Sequence, residues 1–88
     1  MSETTVQPDQ LRKAAGAFSD AGKDTQAILK KLDDTTSELE KRWEGVNQQV
    51  FFKQYRELRQ YMDGFAALLG NISNEMQAMA QRFEDADR

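Results

Sequence analysis

The chain has 88 residues, a formal net charge of −3 at pH 7, and neither cysteine nor histidine. That length makes one small domain with little stability to spare. The missing residue types remove disulfides, thiolate metal sites, cysteine nucleophiles and the commonest general base. No nucleophile–base arrangement remains, so the chain reads as non-enzymatic, with no cofactor, metal or small-molecule substrate.

Leu, Ile, Val and Phe make up only 17 of the 88 residues. Such a count borders on disorder, but the small net charge does not. The ordering of residues therefore decides. Residues 1–43 carry seven basic and eight acidic side chains, and residues 44–88 carry five and seven. Neither half is basic. A nucleic-acid binder concentrates cations to displace counterions from phosphates, and an anionic membrane needs the same. The even spread argues against nucleic acid and against membrane action. No run is long enough to span a bilayer. Met1 to Gln10 is polar and lacks the apolar stretch of a signal peptide. Export, if it occurs, is expected without a cleavable leader.

The first predicted helix covers about residues 8–42. Pro8 suits the first helical position, where its missing N–H is not needed. Asp9 adds negative charge where the helix dipole favours it. Gln7 is a poor cap, so fraying is expected there. Apolar and small residues then recur as Leu11, Ala14, Phe18, Ala21, Thr25, Ile28, Leu32, Thr35 and Leu39, in alternating steps of three and four. Such spacing writes a stripe along a helix and excludes a strand.

The break follows at Trp43-Glu44-Gly45-Val46-Asn47. Gly45 can take a backbone conformation that ends helices, and Lys41 and Arg42 suit a helix C-terminus. Asn47 is an acceptable cap for the next helix. A connection this short makes the helices antiparallel neighbours.

The second predicted helix covers about residues 47–84, with a flexible tail at 85–88. Its stripe runs Phe51, Tyr55, Leu58, Met62, Phe65, Leu69, Ile72, Met76, Met79 and Phe83, widened by Phe52, Tyr61, Ala66, Leu68 and Ala80. A stripe this wide is expected to touch more than one neighbour. Gly64 and Gly70 interrupt no part of the pattern, which points to close packing or a slight bend. The expected fold is all-α: one antiparallel two-helix hairpin that dimerises into a four-helix bundle. Leu11, Ala14, Phe18, Ala21, Thr25, Ile28 and Leu32 are the expected dimer interface. The small surface of Ala14, Ala15, Gly16, Ala17, Ala21, Gly22 and Thr25 would receive large side chains from the partner. Asp33-Asp34 and Glu84-Asp85 diverge on a helix and make no metal site. Asp9/Lys13, Lys30/Asp34, Glu38/Arg42, Lys53/Glu57 and Arg59/Asp63 are expected as solvated pairs.

A Trp-x-Gly turn at the midpoint, between two heptad-patterned helices in an acidic cysteine-free chain, resembles the WXG family. These are the early-secreted-antigen-like proteins of the type VII (ESX) secretion system. The resemblance implies a secreted bundle, formed with itself or with a related WXG-type protein. It implies export as a folded dimer, cytoplasmic before export, and roles in virulence. It also implies that the Trp43–Gly45 turn of one subunit lies beside the C-terminal tail of its partner, and that the tail carries a signal of tyrosine, three residues and an acid, read by the export ATPase. Here Phe83 and Asp87 stand at those places, without the phenol. Phe83 equally reads as the last heptad residue, and Trp43 as a lid on the core end. The alternative from another class is a cytoplasmic adaptor or chaperone that pairs with a larger type VII toxin or a sister hairpin.

Overall fold

The structure, a computed structural model, describes residues 6–86. Helix α1 spans Pro8–Arg42 and helix α2 spans Val46–Ala86. They pack antiparallel as a hairpin 65 × 22 × 17 Å in extent. Its radius of gyration is 19.8 Å, against about 12 Å for a compact domain of this length. The rod shape follows from the absence of helix breakers on either side of the central turn.

Local chemistry sets the helix ends. Pro8 opens α1, and the Gln7 amide donates to Gln10 Oε1 at 2.9 Å. The expected fraying at Gln7 is thus countered by Gln10, three residues on, a partner the cap preference alone did not reveal. At the other end Lys41 and Arg42 lie in the last turn, and the Trp43 amide donates to the Leu39 carbonyl at 3.0 Å. Gly45 has φ +127°, a region side chains avoid. Its carbonyl accepts from the Gln48 amide at 3.2 Å and starts α2. Asn47 therefore lies inside the first turn rather than capping it. Helix α2 begins one residue earlier than its spacing predicts and extends two further, so residues 85 and 86 are helical rather than tail.

The seam between the helices uses small side chains in strict heptad register. Ala15, Gly22 and Leu29 are the buried residues of α1, each seven apart. In α2 the buried residues Phe52, Ala66, Ser73 and Ala80 keep the same period, with Arg59 at the intermediate step and Leu69 added. A Cβ at Gly22 would lie 3.5 Å from the Ala66 carbonyl oxygen and 3.7 Å from Leu69 Cβ. A methyl group would meet both at ordinary van der Waals distance, so the helices are close here but leave room for an alanine. Ser73 Oγ donates to the Ala15 carbonyl at 2.7 Å across the seam.

This corrects part of the sequence reading. Ala15 and Gly22 were expected on a surface awaiting a partner, yet they are the interior of the hairpin itself. Gly64 and Gly70 have nothing within 4 Å of an added Cβ, so neither serves close packing within the chain.

Candidate functional site

The turn is held by three rings. Trp43 is half-buried, with its ring centroid 5.3 Å from Phe51 and 6.0 Å from Phe52. Phe51 and Phe52 meet edge to face at 5.1 Å. Offset and edge-on contacts of this kind are the favourable geometries for aromatic pairs. Trp43 thus closes the end of the hairpin seam while part of the indole stays open to solvent. Gly45 lies two residues on, exposed, and its positive φ turns the chain.

One turn below, the seam becomes polar. Asp33 of α1 accepts from Tyr55 Oη at 2.5 Å, from Arg59 Nε at 2.9 and 3.1 Å, and from Arg59 Nη2 at 2.9 Å. Arg59 also pairs with Asp63 on its own helix. The guanidinium, first, and the phenol, second, hold the Asp33 carboxyl below the usual aspartate range. Burial, first, and the bond to Asp33, second, push the Tyr55 phenol up. The pairing with Asp33 likewise raises the Arg59 guanidinium above its ordinary value, keeping it charged at all working pH. Beside this cluster runs an open groove of about 280 Å³, lined by Asp33, Thr36, Ser37, Glu40, Phe52, Tyr55 and Arg56.

The open end of the hairpin carries a second clamp. Arg12 of α1 meets Glu84 of α2 through both carboxylate oxygens, with Nη1 3.0 Å from Oε2, and lies 3.7 Å from Asp9. The hydrogen bonds to Glu84, first, raise the Arg12 guanidinium. Phe83, one residue before Glu84, is 46% exposed. Asp87 lies outside the described residues, so the spacing Phe83-x-x-x-Asp87 has no geometry here.

The expected interface stripe of α1 lies one heptad position round from the internal seam. Ile28 is 57% exposed and Leu32 and Leu39 are exposed, whereas Leu29 is 2% exposed. Leu11, Ala14, Phe18, Ala21 and Thr25 are half-buried at the edge of the same face. On α2 the exposed large apolar residues are Val46, Val50, Leu58, Tyr61, Phe65, Leu68 and Phe83. The total surface, 7004 Å², exceeds the roughly 5,300 Å² of a compact monomer of this mass. The excess reflects the elongated shape, which leaves large apolar side chains of both helices in contact with solvent.

Two constellations escaped the sequence reading. Asp33 was weighed only with Asp34, and Arg59 only with Asp63, because helical spacing pairs residues on one helix. The available signal was register: Arg59 occupies a step of the buried heptad of α2, and Asp33 lies four residues after Leu29. Of the solvated pairs expected, Lys30–Asp34 and Arg59–Asp63 form, and Glu38 pairs with Lys41 rather than Arg42. Among the described residues, no group of three acidic side chains could hold a metal ion, and no helix is long and apolar enough to cross a membrane.

The chain is thus a two-helix hairpin with Trp43 and Gly45 in its turn and exposed apolar residues on both helices. Residues 3–88 match the family model described as proteins of 100 residues with WXG. The chain belongs to the WXG100 family. It is 27% identical over 86 residues to the YukE protein of Bacillus subtilis, covering 94% of this chain and 86% of that one. It is 23% identical over 88 residues to type VII secretion system extracellular protein A of Staphylococcus aureus, covering 100% and 91%. Among solved structures, the secreted protein EsxB of Bacillus anthracis superposes with a TM-score of 0.87 at 27% identity, over the whole of both chains.

Proposed function

We propose that the protein is a secreted, non-enzymatic substrate and co-export partner of a type VII secretion system, acting as a dimeric four-helix bundle. The observation that carries this reading is the one-sided apolar face of a hairpin whose own seam is already filled. The name of the Staphylococcus aureus relative supports the route of export. Trp43, Gly45, Phe83 and Asp87 are the residues assigned to secretion and recognition, and Leu11, Ala14, Phe18, Ala21, Thr25, Ile28 and Leu32 to the partner contact.

The stripes also suggest a register. Leu11, Phe18, Thr25, Leu32 and Leu39 are spaced evenly about Thr25, and Phe51, Leu58, Phe65, Ile72 and Met79 about Phe65. Gly22 packs against Ala66 and Leu69, so Thr25 and Phe65 share a level near the middle of the rod. A two-fold axis at that level sets two antiparallel copies with each stripe on its own counterpart.

The chain has no cysteine, so single-cysteine variants are unambiguous. Phe65→Cys is expected to cross-link into a disulfide dimer, and a mixture of Leu58→Cys with Ile72→Cys to do so where neither alone does. A light-scattering mass of one chain at micromolar concentration counts against the dimer. Trp43→Ala and Gly45→Ala are expected to reduce secretion from a bacterium carrying the system while helical content is retained. Unchanged secretion in both removes their recognition role.

A further inference from the structure

We propose that Arg12 is a positioning residue for the C-terminal turn of α2, holding Glu84 so that the neighbouring Phe83 ring is offered to a partner in a fixed helical frame. The inference rests on the reading of Phe83 as part of the export signal, and adds a residue of the opposite helix to it.

The geometry is specific. Beyond Ala80, which is fully buried, no described side chain of α2 is buried, and Gln81, Arg82, Phe83, Asp85 and Ala86 are all exposed. Apolar packing therefore stops one turn before the helix does. The carboxylate of Glu84 reaches across to the guanidinium of Arg12 and is engaged through both oxygens. Arg12 is itself steadied by Asp9, 3.7 Å away. A forked guanidinium–carboxylate pair fixes orientation as well as distance, which a lysine does not.

A terminal turn with no buried side chain opens easily, so a modest contact shifts its population appreciably. Phe83 is 46% exposed while the turn is docked. The ring is accessible without unfolding, and a receptor that takes it in this frame avoids the cost of ordering the segment. The frame lies at the end of the rod where α1 begins, so α1 contributes to the signal without carrying it.

The test uses the full chain and the variants Arg12→Gln, Arg12→Lys and Phe83→Ala. Hydrogen exchange is read on a peptide covering residues 81–86 and secretion is read in a bacterium carrying a type VII system. Arg12→Gln is expected to speed exchange in that peptide roughly two- to fivefold, the range for a solvent-facing ion pair. Peptides from residues 15–29 and 66–80 should not change. Arg12→Lys, which keeps the charge and loses the fork, should fall between. High salt should bring wild type toward Arg12→Gln, because exposed pairs are screened. Secretion should drop in the same order, and most in Phe83→Ala. Unchanged exchange in Arg12→Gln overturns the positioning role. So does faster exchange with undiminished secretion where Phe83→Ala secretion is lost. If Phe83→Ala is secreted normally, the signal reading of Phe83 fails and this proposal falls with it, while the exchange data still report on the clamp alone.

Discussion

Ser73 donates a hydrogen bond of 2.7 Å to the main-chain carbonyl of Ala15, fifty-eight residues away and sealed from water by the two helices. It joins α1 to α2 where both present their smallest side chains. A carbonyl oxygen has two lone pairs and can serve the helix and the hydroxyl together. Ser73→Ala removes donor and bond at once and strands no buried group, so it should cost about 1 kcal/mol. Ser73→Leu should cost more, because a large side chain at this close approach forces the helices apart. Urea unfolding of the three proteins orders them, and a Ser73→Leu protein as stable as wild type refutes the tight seam.

Two glycines should respond oppositely to alanine. At Gly22 the new Cβ sits at ordinary van der Waals distance from Ala66 and Leu69. Its helix interior then favours alanine by up to about 1 kcal/mol. At Gly45 there is open space, but φ is +127°. Alanine there should destabilise by roughly 1–3 kcal/mol through backbone strain alone. Thermal unfolding should show the melting point rising for Gly22→Ala and falling for Gly45→Ala. The opposite order would place the strain in the wrong element.

Leu29 and Ile28 are adjacent in sequence and lie on different faces of α1. Leu29 is 2% exposed within the hairpin and Ile28 is 57% exposed on the outer face. Leu29→Ala should destabilise by about 2–5 kcal/mol at any protein concentration. Ile28→Ala should have little effect on an isolated chain. It should instead weaken the dependence of the unfolding midpoint on concentration, since mass action ties that dependence to association. Equal effects of both substitutions, with no concentration dependence in wild type, would leave the outer face without a partner.

The Asp33 cluster sets limits in pH. Bonds from Arg59 and Tyr55 place the Asp33 carboxyl lower in the fold than in the unfolded chain. Its contribution is therefore complete above the unfolded value of about 3.9 and fades as pH drops through the folded value. Tyr55 is shifted upward by burial and by Asp33. Its contribution is complete below its unfolded value of about 10 and fades as pH rises through the folded one. Asp33→Asn should lower stability near neutral pH and flatten the acid limb of the urea midpoint. An acid limb unchanged in slope would remove Asp33 from the account.

Much of the fold was legible because helix formation is local. The 3–4 spacing, Pro8, the basic last turn of α1 and Gly45 each act through bonds within a few residues. The Asp33–Tyr55–Arg59 and Arg12–Glu84 clusters were not legible, since each spans two helices whose rotation about their own axes no local rule specifies. The same ambiguity hid the inner seam. The stripe of Leu11, Ala14, Phe18, Ala21, Thr25, Ile28 and Leu32 reads as a partner-facing interface, and the spacing alone places the small residues beside it on the same surface. Ala15, Gly22 and Leu29, each one residue after a stripe position, are instead what the hairpin encloses.

By itself the sequence determined two long helices, one turn and more apolar stripe than a hairpin can hide, because spacing and composition alone decide those. Tertiary structure decided which neighbouring stripe faced inward. Close approach at Gly22 and the Ser73–Ala15 bond are available only in one relative rotation, and that rotation turns Ile28, Leu58 and Phe65 toward solvent.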